Sequence, residues 1–105
     1  MAYIPAESGG GGGYTTTTYN FGTNDNRKNI PVDDYAYIEL TPPETGYIPI
    51  GWCMSNFYAL TQGKFMYLNG GFRKSSGNWR LIIGNVGASD VLGLASDITV
   101  LWVKP

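Results

Sequence analysis

Asp34-Tyr35-Ala36-Tyr37-Ile38-Glu39-Leu40-Thr41 is the stretch on which the fold turns. Ala36, Ile38 and Leu40 recur at every second position, with Tyr35, Tyr37 and Glu39 between them. Successive side chains of a strand point to opposite faces, so this alternation describes a strand with one side in a core and the other in solvent. Pro42-Pro43-Glu44-Thr45-Gly46 then ends the strand in a turn.

The same grammar extends in both directions. Tyr14-Thr15-Thr16-Thr17-Thr18-Tyr19 is β-branched and aromatic throughout, a composition that suits a pleated strand and penalises a helix. Asn24 to Asn29 reads as a polar loop. From Tyr47 to Leu60 a period of two aligns Ile48, Ile50, Trp52 and Met54, and Pro49, which lacks a backbone donor, places that end at a sheet edge or a bulge. Thr61-Gln62-Gly63 predicts a turn into a strand at Lys64 to Leu68, and Asn69-Gly70-Gly71 a further hairpin turn, because Asn-Gly tolerates the positive φ of a type I′ turn. Arg73 and Lys74 read as a solvated hairpin turn, Ser75-Ser76-Gly77-Asn78 is the next turn, and Trp79 to Ile83 the next strand. Gly84 to Ser96 reads as a Gly-rich loop with a short strand near Val91-Leu92. Asp97 to Lys104 closes the chain as a strand that is apolar at both parities: Ile98, Val100 and Trp102 on one side, Leu101 and Val103 on the other. A strand of that kind is covered on both sides, here by a second sheet within and another subunit without.

Strands joined by Gly, Pro and Asn turns, with no helical segment, predict an all-β fold: a jelly-roll-like antiparallel β-sandwich over residues 14–105. A chain of 105 residues makes one such domain. Ahead of it, residues 1–13 form an arm: the peptide Ala2 to Glu7, then five consecutive glycines, Gly9 to Gly13, which by themselves make a flexible tether spanning roughly 12 Å. Tyr3, Ile4 and Pro5 are the compact apolar group of that arm and its candidate docking residues.

Charged residues make up only 14% of the chain and the net charge is -1, so a clustered basic face for nucleic acid or anionic lipid is not expected. Histidine is absent, which removes Ser-His-Asp and Cys-His nucleophilic arrangements. The single cysteine, Cys53, excludes an intrachain disulfide and reads as a small buried hydrophobe. Asp33 and Asp34 are adjacent and point apart, as turn residues before a strand. Asn24-Asp25-Asn26 offers oxygens to a calcium ion but lacks the spacing of an EF-hand and reads as a solvated turn. The expectation is a protein without catalysis, cofactor or metal. No apolar run reaches the ~20 residues that span a bilayer, and the N-terminus lacks the pattern of a secretory signal, so synthesis in a cytoplasm without membrane insertion is expected.

Aromatic residues, at 14%, are the conspicuous surplus. Tyr35 and Tyr37 on the outward face of their strand, together with Trp79, are candidate aromatics for a ligand or an interface, since tyrosine presents a flat ring with a hydroxyl at its rim. The alternative is that the tyrosines pack under the N-terminal segment or against a second subunit.

Gly46-Tyr47-Ile48-Pro49-Ile50-Gly51-Trp52 and Asp97-Ile98-Thr99-Val100-Leu101-Trp102-Val103-Lys104 resemble segments of the C-terminal β-sandwich modules of bacteriophage tail fibres and related virion-surface proteins. The similarity runs from about Asp34 to Pro105. It implies a non-enzymatic component of the virion surface, most often a homotrimer, such as a small tail-fibre component, a head fibre or a capsid decoration protein. Its partners would be its own copies, a larger capsid or tail protein that holds the N-terminal arm, and a host-surface glycan in a secondary adhesive role. The alternative is a carbohydrate- or receptor-binding β-sandwich module.

Overall fold

The closing strand of the chain is also its centre. The computed structural model describes residues 13–60 and 68–105. Within them lie β1 (Gly13–Phe21), β2 (Lys28–Ile30), β3 (Tyr35–Leu40), β4 (Ile48–Tyr58), β5 (Leu68–Ser75), β6 (Asn78–Asn85) and β7 (Val91–Lys104). No helix occurs among the described residues. β7 is 14 residues long. β1 and β2 pair with successive parts of one of its edges and β4 with the other, all antiparallel. The second sheet has the order β3-β6-β5. The two sheets pack face to face around one core, the antiparallel sandwich that the alternation predicts. The expected strand at Lys64 to Leu68, apart from Leu68 itself, and most of the N-terminal arm lie outside the described residues.

The core is built on the inner parity of β7. Ile98, Val100 and Trp102 have no exposed surface, and Leu81, Ile83 and Leu40 meet them from the other sheet. The indole Nε1 of Trp102 donates to Thr17 Oγ1 at 2.8 Å, so the one polar atom of this ring is satisfied inside. The Tyr19 hydroxyl ties the sheets together at their margin: it donates to Thr41 O at 3.2 Å and accepts from Thr41 N at 3.0 Å.

Two bulges decide which residues reach that core. In β4, Pro49 pairs with Trp102 and Gly51 with Leu101, which leaves Ile50 as the extra residue. The extra residue reverses the parity of the strand. Pro49 is therefore buried, and Trp52 and Met54 pack against the core, while Ile48 and Ile50 are exposed. The expectation that Ile48, Ile50, Trp52 and Met54 share one face is corrected by this bulge, which Pro49 had marked. Cys53 is displaced to the outer side by the same step and is exposed rather than buried. In β7, the four residues from Val91 to Leu94 oppose the three from Lys28 to Ile30, so Leu92 and Gly93 together face Asn29. Gly93 takes up the slack with a φ of 65°, where a side chain would also run into Leu60.

Asn69-Gly70-Gly71 is not a turn but part of β5, paired with Gly84, Ile83 and Ile82. The reason is steric: the Trp52 indole from the opposite sheet lies against Gly70 where any β-carbon would stand. A glycine inside a strand can mark such a close approach as well as a turn. The real turn is Ser76-Gly77, with φ of 51° and 82°, inside the expected Ser75–Asn78 segment. The polar loop after β1 is shorter than expected. Thr23 and Asn26 close a tight turn, and Lys28 and Asn29 already belong to β2.

The expected loop from Gly84 to Ser96 shrinks to residues 86–90, and Asn85 explains how. It is 2% exposed. Its Nδ2 donates to Ile30 O at 2.9 Å and Ser89 O at 2.8 Å, and its Oδ1 accepts from Gly87 N at 2.9 Å. Its backbone exchanges hydrogen bonds with Asp33 and Asp34 at the corner where the chain passes from β2 to β3. One buried amide thus holds the turn between β6 and β7 against the crossing between the sheets.

Asn85→Ala removes its bonds to the buried Ile30 carbonyl and to the half-buried Ser89 carbonyl and Gly87 amide, and is expected to cost about 2–4 kcal/mol. Gly70→Ala, which forces Trp52 aside, is expected to cost about 1–3 kcal/mol. Thr16→Ala on the outer face of β1 should stay within about 0.5 kcal/mol. Urea denaturation of the three variants checks the order, and an Asn85→Ala protein as stable as Thr16→Ala would contradict the role given to Asn85.

Candidate functional site

The outer face of the β3-β6-β5 sheet is a grid fixed by strand register. Tyr35, Gly84 and Asn69 lie in one row, Tyr37, Ile82 and Gly71 in the next, and Glu39, Arg80 and Arg73 in the third. Tyr35 and Tyr37 stand on this face as the alternation of β3 predicts, 61% and 47% exposed. They form a ridge along β3. Beside it the glycines of β6 and β5 leave the sheet bare, and a β-carbon on Gly71 would meet nothing within 4 Å.

The arginines are not equivalent. The guanidinium carbon of Arg80 sits 4.6 Å from the centre of the Tyr37 ring, and its Nε donates to Glu39 Oε1 at 2.7 Å. The ring and the carboxylate together hold the guanidinium in place. Arg73 lies directly across from Arg80 on β5 and is exposed. Among the described residues no hydrogen bond or ion pair engages it. With Glu39 offsetting Arg80, the grid carries one unmatched positive charge, that of Arg73.

Two adjoining hollows occupy the grid. One, of about 280 Å³, is bounded by Tyr35, Tyr37, Arg73, Arg80 and Ile82. The other, of about 470 Å³, lies over Gly71, Ile82 and Gly84, with Asn69 and Val86 at its rim. Arg73 and Ile82 border both. A flat ligand can lie across them against ring faces, bare backbone and a cation.

Trp79 does not join the tyrosines. It precedes Arg80 in β6 and so points the opposite way, packed against the core, with Lys74 Nζ 5.5 Å from its ring centre. Tyr3, Ile4 and Pro5 lie outside the described residues. Neither Arg73, read from the sequence as a solvated turn residue, nor Arg80 is expected there as a site residue, although the Ser76-Gly77 turn sets one opposite the other. Arg73 belongs to β5 rather than to the turn.

The outer face of the other sheet has a different character. Its rows are Tyr14-Val103-Ile48, Thr16-Leu101-Gly51, Thr18-Thr99-Cys53 and Asn20-Asp97-Ser55. One end is apolar, with Tyr14, Ile48 and Ile50 exposed and Leu101 and Val103 half-buried. In these rows only Asp97, at the far end, is charged.

Several acidic and amide groups elsewhere are occupied in holding the chain. Asn24 Oδ1 accepts from Arg27, whose other guanidinium nitrogen donates to Gly93 O, and Asp34 Oδ1 accepts from Tyr35 N. Among the described residues no group of three or more His, Cys, Asp or Glu is placed to hold a metal ion. Nor is any helix among them long and apolar enough to cross a membrane. The chain matches no known family, no curated protein and no solved structure.

The Arg80–Glu39 pair is open to solvent, with side chains 38% and 54% exposed. Exposed pairs contribute at most about 1 kcal/mol, so Glu39→Gln and Tyr35→Ser should each leave stability within about 1 kcal/mol of the unaltered protein. Chemical denaturation measures this. A loss above about 2 kcal/mol would make the grid part of the scaffold rather than a free face.

Proposed function

We propose that this chain is a non-enzymatic structural protein of a bacteriophage virion surface: a capsid decoration protein, head fibre or small tail-fibre component. It assembles as a homotrimer and attaches to a larger capsid or tail protein through Tyr3, Ile4 and Pro5. The observation that carries this reading is the outer face of β1-β7-β4, partly apolar and charged only at Asp97 at its far end. Stable subunit interfaces are depleted in charge at their centre and enriched in apolar and aromatic side chains. Tyr14, Ile48, Ile50, Leu101 and Val103 supply that composition at one end of the face, and three copies is the number the resemblance implies.

The resemblance gains support from the fold. The segment around Pro49 and the segment around Val100 are far apart in sequence, yet Ile48 to Met54 pairs with Ile98 to Val103 as neighbouring strands. Both similarities therefore fall on one structural unit. A second reading, a saccharide- or receptor-binding module, is favoured by the Tyr35 and Tyr37 face.

Light scattering at tens of micromolar is expected to give three times the mass of one chain, and Leu101→Glu a folded monomer. A monomeric unaltered protein would overturn the assembly. In purified particles, mass spectrometry should detect the chain, and deleting residues 1–12 should abolish its attachment while leaving the trimer folded. Full occupancy by the truncated protein would move the attachment site onto the sandwich.

A further inference from the structure

We propose that the grid of Tyr35, Tyr37, Arg73 and Arg80 binds a negatively charged saccharide, its sugar faces on the tyrosine rings and its anionic group on Arg73. This deepens the saccharide-binding reading by assigning the ligand's charge and its site, and it is independent of where on a particle the chain sits.

The rings come first. Tyr35 and Tyr37 are two apart on β3, so they stand about 7 Å from each other along the strand on the same face. The apolar face of a sugar stacks on such rings while its hydroxyls remain free for polar groups. Tyr37 is backed by the Arg80 guanidinium, 4.6 Å from its centre, so it is already oriented and loses less freedom on binding. Tyr35 is the more open of the two, at 61%.

The floor comes next. Gly84 leaves the sheet bare beside Tyr35, while Ile82 stands beside Tyr37 with Gly71 beyond it on β5. A sugar ring leaning on the tyrosines can therefore sit low over β6 and β5. There the exposed Asn69 amide can serve its hydroxyls.

Charge selects among sugars. Arg73 and Arg80 face each other on adjacent strands, an arrangement of like charges that destabilises a sheet. Glu39 engages only Arg80. A carboxylate, sulfate or phosphate above the hollow they share would accept from Arg73 and relieve the repulsion. A neutral saccharide leaves that charge unmatched. An acidic peptide would match it but has no deep apolar pocket for an anchoring side chain, since the hollows are floored by glycine and one isoleucine.

The test is calorimetric titration of the full chain with a glucuronate-containing hexasaccharide, a sulfated hexasaccharide, a neutral glucan hexasaccharide and hexaglutamate. At least one acidic saccharide is expected to bind roughly tenfold tighter than the neutral glucan, and to weaken as salt rises. Arg73→Ala and Tyr35→Ala, each verified as folded by circular dichroism, should each lose roughly tenfold in affinity, and Thr16→Ala on the opposite sheet nothing. Equal affinity for the neutral glucan would overturn the charge assignment and leave the saccharide reading standing. Tighter binding of hexaglutamate would overturn the ligand class in favour of an acidic protein partner. Undiminished binding in both Arg73→Ala and Tyr35→Ala would overturn the site. No saccharide binding up to about 1 mM would overturn both this proposal and the saccharide reading.

Discussion

Trp102 has no exposed surface and its indole nitrogen rests on Thr17 at 2.8 Å, and this arrangement sets the parity of β7. A slip of one residue would carry the indole into solvent and bring Leu101 and Val103 inward, losing both the burial and the hydrogen bond. Three other strands register on β7, so its parity becomes theirs. Tyr14 and Ile48 stand outside because Val103 does. Thr17, Tyr19 and Phe21 stand inside because they share the inner face with Val100, Ile98 and Trp102. The bulge at Ile50 modifies this for β4 alone, and it returns Trp52 to the core just where Gly70 leaves room for it.

The second sheet is fixed by a more local device. A two-residue turn at Ser76-Gly77 pairs Ser75 with Asn78, and from there every partner along β5 and β6 follows by counting. Arg73 is thereby placed against Arg80, Gly71 against Ile82 and Asn69 against Gly84. β3 adds the tyrosines on the other side of β6. Asn85, itself buried, then fastens this sheet to the crossing from β2 through three side-chain hydrogen bonds. The two outer faces that result differ in chemistry: one is nearly uncharged with an apolar end, the other carries two arginines, a glutamate and two open tyrosine rings.

Much of this is legible in the residues, and the failures have physical reasons. The alternation in Tyr35 to Leu40 and the apolar run of Asp97 to Lys104 are local signals, and both stretches are strands. Ile48 to Met54 also reads as a strand, but its faces cannot be assigned without knowing where Pro49 puts the extra residue. Asn69-Gly70-Gly71 carries a strong turn signal whose alternative, room for an indole from another strand, is set by contacts far along the chain. Trp79 and Cys53 each miss by a single step of parity. Asn85 gives no sign in the sequence of being buried, because its partners, Ile30 and Ser89, come together only when the sheets do. Tyr35 and Tyr37 were visible as an outward pair. The arginine facing them from β5 emerges only once β5 is a strand rather than a turn.

On the proposal made above, one outer face meets copies of the chain and the other a ligand, and a crystal structure of the assembled protein distinguishes the two faces. The result expected is a set of copies joined through Tyr14, Ile48, Leu101 and Val103, with Tyr35, Tyr37 and Arg73 open to solvent. Copies joined instead through the tyrosine face, with Tyr35 and Tyr37 buried between them, would contradict it.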